Sequence, residues 1–258
     1  MKIGLIGEGA IGRYVAQTLS AEKAGPHVTL VRPARLNETQ GLQRVARVAD
    51  LPDDIDLMID CAGHAALMCH GPAILERGMD LITVSVGALA DRKLEQELTR
   101  AAKAGGAQLH LASGAIGALD CLQAAKVGGL TAVTYTGRKP PAGWRGSMAE
   151  EHLDLTRLKA STTHFEGSAR QAAVDYPKNA NVAAAVAIAG LGFDQTSVKL
   201  IADPSVTANI HEIEATGSFG SFSFRIEGKT LPDNPRSSAL AAMSVIAAIR
   251  RRRAAITT

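Results

Sequence analysis

Hydrophobic and polar positions change their rhythm about halfway along the chain. In the first half, short apolar runs alternate with amphipathic stretches of helical period. Ile3, Leu5 and Ile6 form a run suited to a strand buried on both faces. A helical stretch follows from Ala10 to about Ser20. Further strands are predicted over 28–31, 56–61, 80–85 and 108–112. Helices are predicted over 65–77, ended by Gly78, and from an Asp91 N-cap to Ala104, ended by Gly105 and Gly106. This alternation predicts a parallel sheet flanked by helices.

From about Leu119 the alternation breaks. Residues 131–136 read as a strand with Val133 and Tyr135 on one face, followed by the basic, rigid loop Gly137-Arg138-Lys139-Pro140-Pro141. An Ala-rich helix is predicted over 179–191, and strands over 197–202 and 208–215. Phe222, Phe224 and Ile226 alternate with Ser221, Ser223 and Arg225, as in a sheet with one buried face. Residues 142–170 show no clear period. Pro232-Asp233-Asn234-Pro235 is expected to start a long helix from about Arg236 to Arg252. The chain thus reads as α/β: a dinucleotide-binding domain over 1–118, completed by a terminal helix within 234–258, and an α+β domain with a mostly antiparallel sheet over 119–233.

The turn after the first strand carries the chemistry. Gly7, Gly9 and Gly12 give the G-x-G-x-x-G spacing between strand and helix. Gly7 serves the tight turn, Gly9 the close approach of a pyrophosphate, and Gly12 the packing of helix on strand. Ala10 and Ile11 lie at the helix N-terminus, whose free N–H groups favour an anion. Where the second strand ends, a ribose-binding acid is missing and Arg32 and Arg35 stand instead. They point to acceptance of NADP as well as NAD, or to ordinary surface arginines. The loops beginning at Cys61 and Ala62, at Ser85 and at Ala115 follow strands, where ligands of open parallel sheets sit.

Composition narrows the remaining classes. The 258 residues are 46% hydrophobic, enough for packed cores. A net charge of +3 with 3% aromatics gives no nucleic-acid signature. Three cysteines, Cys61, Cys69 and Cys121, lack metal-ligand spacing and read as buried thiols in a reducing compartment. Met1 leads directly into the first strand, which predicts no signal peptide, and no apolar run is long enough to span a bilayer. A cytoplasmic protein without metal is expected. The basic run Arg250 to Arg253 is expected to complement a helix C-terminus and stay solvated.

Tyr176-Pro177-Lys178-Asn179-Ala180-Asn181-Val182-Ala183 and Ala208-Asn209-Ile210-His211-Glu212-Ile213 resemble blocks of the L-aspartate dehydrogenase family. Ser113-Gly114-Ala115-Ile116-Gly117, Arg138-Lys139-Pro140-Pro141 and Pro232-Asp233-Asn234-Pro235 look like further blocks of it. The resemblance implies a Rossmann domain, a catalytic domain like that of homoserine dehydrogenase, and a homodimer. It implies NAD or NADP as cofactor and the reversible oxidation of L-aspartate, through iminoaspartate, to oxaloacetate and ammonia. The iminoaspartate can feed pyridine nucleotide biosynthesis. Carried over by position, it implies His211 as the catalytic residue and Ala115 and Asn181 as cofactor contacts. Lys178, with Arg138 or Lys139, is the candidate for holding substrate carboxylates. The chemistry suits a base near neutral pKa, and alternation puts Asn209, His211 and Ile213 on one strand face. A dehydrogenase for another dicarboxylate or amino acid, or an NADP-binding redox sensor, shares the same fold-level pattern.

Overall fold

The computed structural model describes residues 1–37, 42–177, 179–231 and 234–257. Two compact units emerge, one of 1–112 with 241–258, the other of 113–240. The sequence reading divides the chain a few residues away, at 118/119 and 233/234.

The first unit runs β1 (Ile3–Ile6), α1 (Ala10–Ala21), β2 (Val28–Leu30), β3 (Gln43–Val45), β4 (Leu57–Asp60), α2 (His64–Glu76), β5 (Asp80–Thr83), α3 (Arg92–Gly105) and β6 (Leu109–Leu111). Its six strands are ordered β3-β2-β1-β4-β5-β6, every pair parallel. This is the doubly wound Rossmann order. Strand β1 is buried throughout, as its unbroken apolar run requires. Asp91 caps α3 by accepting from the Lys93 N–H at 2.8 Å, and Gly106 ends it with φ +65°.

The second unit begins with α4 (Leu119–Gly128) and β7 (Leu130–Lys139), which takes in Gly137, Arg138 and Lys139, expected as a loop, because they pair with later strands of the same sheet. Short elements fill the stretch without a period: α5 (Ala149–His152), β8 (Thr162–Ser168) and α6 (Ala169–Asp175). Then come α7 (Asn181–Ala189), β9 (Ser197–Ala202), β10 (Asn209–Gly217) and β11 (Gly220–Gly228). The sheet is ordered β11-β10-β7-β9-β8 and is antiparallel except at β7/β9. Strand alternation makes it two-faced. Val133 and Tyr135 are buried on one face beside α4, while Lys199–Glu166 and Arg225–Glu212 ion pairs lie on the other.

The long terminal helix starts later than expected. Residues 234–238 instead form β13 (Asn234–Ser238), paired with β12 (Thr230–Leu231). Helix α8 (Ala239–Arg253) follows. Its Val245, Ile246 and Ile249 join Ile3, Leu5, Val15, Leu19, Leu57 and Ile59 in the core of the first unit. Each such side chain contributes roughly 1.5–3 kcal/mol on burial, so the helix is part of this core. The basic run is not simply solvated either. Arg250 pairs with Glu22, and Arg252 with Asp80.

Candidate active site

In the first unit the three glycines have distinguishable surroundings. Gly7 has φ +84°, and a Cβ there would lie 2.7 Å from that of Ala62. A Cβ on Gly12 would lie 2.3 Å from the Gly7 carbonyl oxygen, so only glycine lets α1 sit this close to the turn. Gly9, by contrast, has nothing within 4 Å of its would-be Cβ. It caps α1 without a side-chain bond, and the first turn of that helix carries no acid. Open space over a glycine, beside the uncapped N–H groups of Ala10 and Ile11, is the environment a pyrophosphate needs.

Asp60, hidden in the apolar run of β4, ties the neighbouring loops together. It is fully buried. Its carboxylate accepts from Thr83 Oγ1 at 2.7 Å, Ser85 Oγ at 2.7 Å and the Ala62 N–H at 2.9 Å. Burial raises its pKa, and the bonds from Ser85, Ala62 and Thr83 oppose the rise. Ser85 is therefore engaged through its hydroxyl, while Ala62 is exposed and Cys61 is half-buried, its thiol pKa pushed well up by burial. Cys69 and Cys121, expected to be buried, are exposed on the helices that carry them. Arg32 is exposed just after β2. Arg35 pairs with Glu8 of the glycine loop at 3.0 Å, and Arg44 of β3 holds the same carboxylate at 3.0 and 3.2 Å.

In the second unit, register decides which predicted residues meet. His211 lies directly opposite Gly137 across β10/β7. Tyr135, Gly137 and Lys139 thus share its face, and Arg138 points to the opposite one. There Arg138 pairs with Asp203 at 2.7 Å and donates to Ser161 at 2.8 Å. The hydroxyl and backbone N–H of Ser205, and then Arg138, hold Asp203 at a pKa of about 2. Adjacent in sequence, Arg138 and Lys139 therefore do different jobs, and only Lys139 is grouped with His211.

His211 is 5% exposed, and its Nδ1 lies 2.8 Å from Tyr135 Oη. Burial, and then the positive charge of Lys139, push its pKa down to about 4, so the ring is neutral at neutral pH. Lys139 donates to Asn179 Oδ1 at 2.5 Å, and its Nζ stands 4.8 Å from the Trp144 ring centroid. Burial lowers its pKa to about 8. Trp144 in turn meets His164 edge-on at 4.5 Å and donates its indole N–H to the Ile201 carbonyl at 3.0 Å. His164 is placed by a β-bulge between Thr163 and Phe165 and bonds Tyr176 Oη through Nδ1 at 3.1 Å. Sequence reasoning missed this aromatic platform under Lys139, because its members come from three elements without a shared period.

Ala115 is buried in the loop preceding α4, and Asn181 is the first residue of α7. Lys178 lies outside the described residues. No group of three metal-ligating side chains occurs among the described residues, and no helix there is long and apolar enough to cross a membrane.

A family model described as "Aspartate dehydrogenase, C-terminal" matches residues 120–252, and one described as "Homoserine dehydrogenase, NAD binding domain" matches 7–112. The L-aspartate dehydrogenase of Ruegeria pomeroyi is 55% identical over 99% of this chain and 94% of its own. The chain belongs to the L-aspartate dehydrogenase family. Another member, from Cupriavidus taiwanensis, is 47% identical over 99% of both chains. The solved aspartate dehydrogenase of Thermotoga maritima superposes with a TM-score of 0.81 at 27% identity, covering 100% of this chain and 99% of the other. L-aspartate dehydrogenase family membership accounts for the Rossmann unit that binds NAD(P) and for the mixed sheet carrying His211.

Proposed function

We propose that the chain oxidises L-aspartate to iminoaspartate with NAD(P)+, that water converts this to oxaloacetate and ammonia, and that the reverse amination uses the same groups. The observation that carries this reading is the buried His211 on the same face of the sheet as Lys139, its Nδ1 held by Tyr135. Oxidation removes the Cα hydrogen with its electron pair and one proton from the amine. NAD(P)+ supplies the acceptor for that electron pair. His211 Nε2 takes the amine proton, a task that needs the ring uncharged beforehand. Nε2 returns that proton to the imine nitrogen, takes a proton from the water as its oxygen adds to the iminium carbon, and passes this proton to the departing nitrogen.

Lys139 supplies a charge-assisted contact to a substrate carboxylate. It has no carboxylate partner among the described residues, and an ammonium left without one in a low-dielectric site favours an anion. Gly7, Gly9, Ala10, Ile11 and Gly12 hold the pyrophosphate, with Cys61, Ala62, Ser85, Ala115 and Asn181 as further cofactor contacts. Arg32 receives the 2′-phosphate of NADP. The protein acts in the cytoplasm as a homodimer. The nine-residue edge strand β11 supports self-association, and Phe219 in the turn before it is 43% exposed.

The test is NAD(P)H formation with L-aspartate against a panel of amino acids and 2-hydroxy acids. L-Aspartate should exceed L-alanine, which lacks the second carboxylate, by at least about tenfold in kcat/KM. Equal rates with alanine would refute the dicarboxylate assignment.

A further inference from the structure

The described contacts of His211 leave Nε2 without a protein partner, whereas Nδ1 is fixed by a single group. That group is the hydroxyl of Tyr135, 2.8 Å away, and the hydroxyl makes no other bond to a described residue. The two rings lie nearly parallel, at 19°, with centroids 6.0 Å apart. Tyr135 itself is buried, and burial keeps its phenol protonated far above neutrality.

The contact depends on a glycine. Tyr135 is opposite Ile213 in the sheet, and Gly137 is opposite His211. Tyr135 therefore reaches its histidine diagonally, across position 137. A Cβ on Gly137 would fall 2.8 Å from Tyr135 Oη and 3.3 Å from Cζ. Gly137 does not adopt a positive φ. Its lack of a side chain is needed for space, since it leaves the channel through which the phenol crosses from one residue pair to the next.

We propose that Tyr135 is the positioning residue for His211, with Gly137 as the gap that admits it: the phenol binds Nδ1 and thereby dedicates Nε2 to the substrate. The inference rests on the reading of His211 as the base. For Nε2 to accept a proton its lone pair must be free, so the working ring carries its hydrogen on Nδ1 and donates it to Tyr135 Oη. This bond persists when Nε2 is protonated, so one proton can be taken up and returned without reorientation of the ring. A carboxylate in the phenol's place would stabilise the imidazolium and hold the proton. A neutral phenol fixes the ring without doing so, which matches a base that must release its proton to the leaving nitrogen.

The test combines kinetics with nitrogen NMR of the 15N-histidine-labelled protein bound to NADP+. Tyr135→Phe keeps the ring and loses only the hydroxyl. It should lower kcat for L-aspartate by about tenfold, with KM and cofactor affinity little changed. In the His211→Ala background the same change should have no further effect. The His211 nitrogens should report one neutral tautomer, hydrogen on Nδ1, in the parent and a mixture in Tyr135→Phe. Gly137→Ala should mimic Tyr135→Phe, and the double variant should be no worse than either single one. A tautomer unaffected by loss of the hydroxyl, or a Tyr135→Phe defect that persists undiminished without the imidazole, would overturn the proposal. Full activity in His211→Ala would instead refute the assignment of the base, and the tautomer measurement would still judge Tyr135.

Discussion

Replacing Lys139 by methionine removes the ammonium but keeps most of the stem. Burial lowers the lysine pKa from 10.5 to about 8, which corresponds to a penalty on the charged form of about 3 kcal/mol at most, and of about 2 kcal/mol once partial solvent access is allowed for. Against this, the variant loses the bond to Asn179 and the contact with Trp144, together worth roughly 1–2 kcal/mol. Stability at pH 7 should therefore stay level or rise by up to about 1 kcal/mol. Substrate binding should move the other way, because a charge-assisted bond of roughly 1.5–3 kcal/mol disappears, a loss of about tenfold to a hundredfold in affinity. The pH dependence has a definite sign. The folded-state pKa lies below the unfolded one, so the penalty is fully present below about 8 and is relieved as the pH rises toward 10.5. The parent should gain stability on the methionine variant across that window. Urea unfolding at pH 7 and pH 10, with L-malate competition against L-aspartate, measures both effects. A variant that loses 2 kcal/mol at pH 7 yet keeps its KM for aspartate would show that Lys139 is a structural cation.

Two other substitutions probe the first unit. Asp60→Asn replaces a carboxylate that accepts three bonds by an amide with a single acceptor oxygen; it should weaken cofactor binding about tenfold by loosening the Ala62 and Ser85 loops, and an unchanged fluorescence titration with NADPH would deny Asp60 that role. Arg32→Ala should weaken NADP about tenfold while sparing NAD, and equal losses for both cofactors would remove the 2′-phosphate contact.

The glycine loop was readable because its chemistry is local. Gly7, Gly9 and Gly12 each answer a constraint set within a few residues, and the contacts at those positions follow. Strand alternation likewise put His211 and Ile213 on one face. What the sequence could not show was register. Arg138 and Lys139 look interchangeable until Gly137 is found opposite His211, after which one faces the imidazole and the other Asp203. The Tyr135 contact spans 76 positions and depends on the same register. Asp60 was concealed by its apolar neighbours, since a buried acid and an edge residue look alike in a strand pattern. Residues around Trp144 and His164 form elements as short as four residues, too brief for any period to appear. The late start of α8 reflects pairing of β13 with β12, a tertiary choice that overrides the helix signal of the Pro-rich segment.

The most direct measurement is made on His211→Ala, with cofactor affinity and turnover determined on the same preparation. Loss of kcat for L-aspartate by about a hundredfold or more, with the dissociation constant for NADPH unchanged, is the expected result for a base that acts on substrate. Turnover close to that of the parent, or parallel loss of turnover and NADPH binding, would contradict the role given to the imidazole.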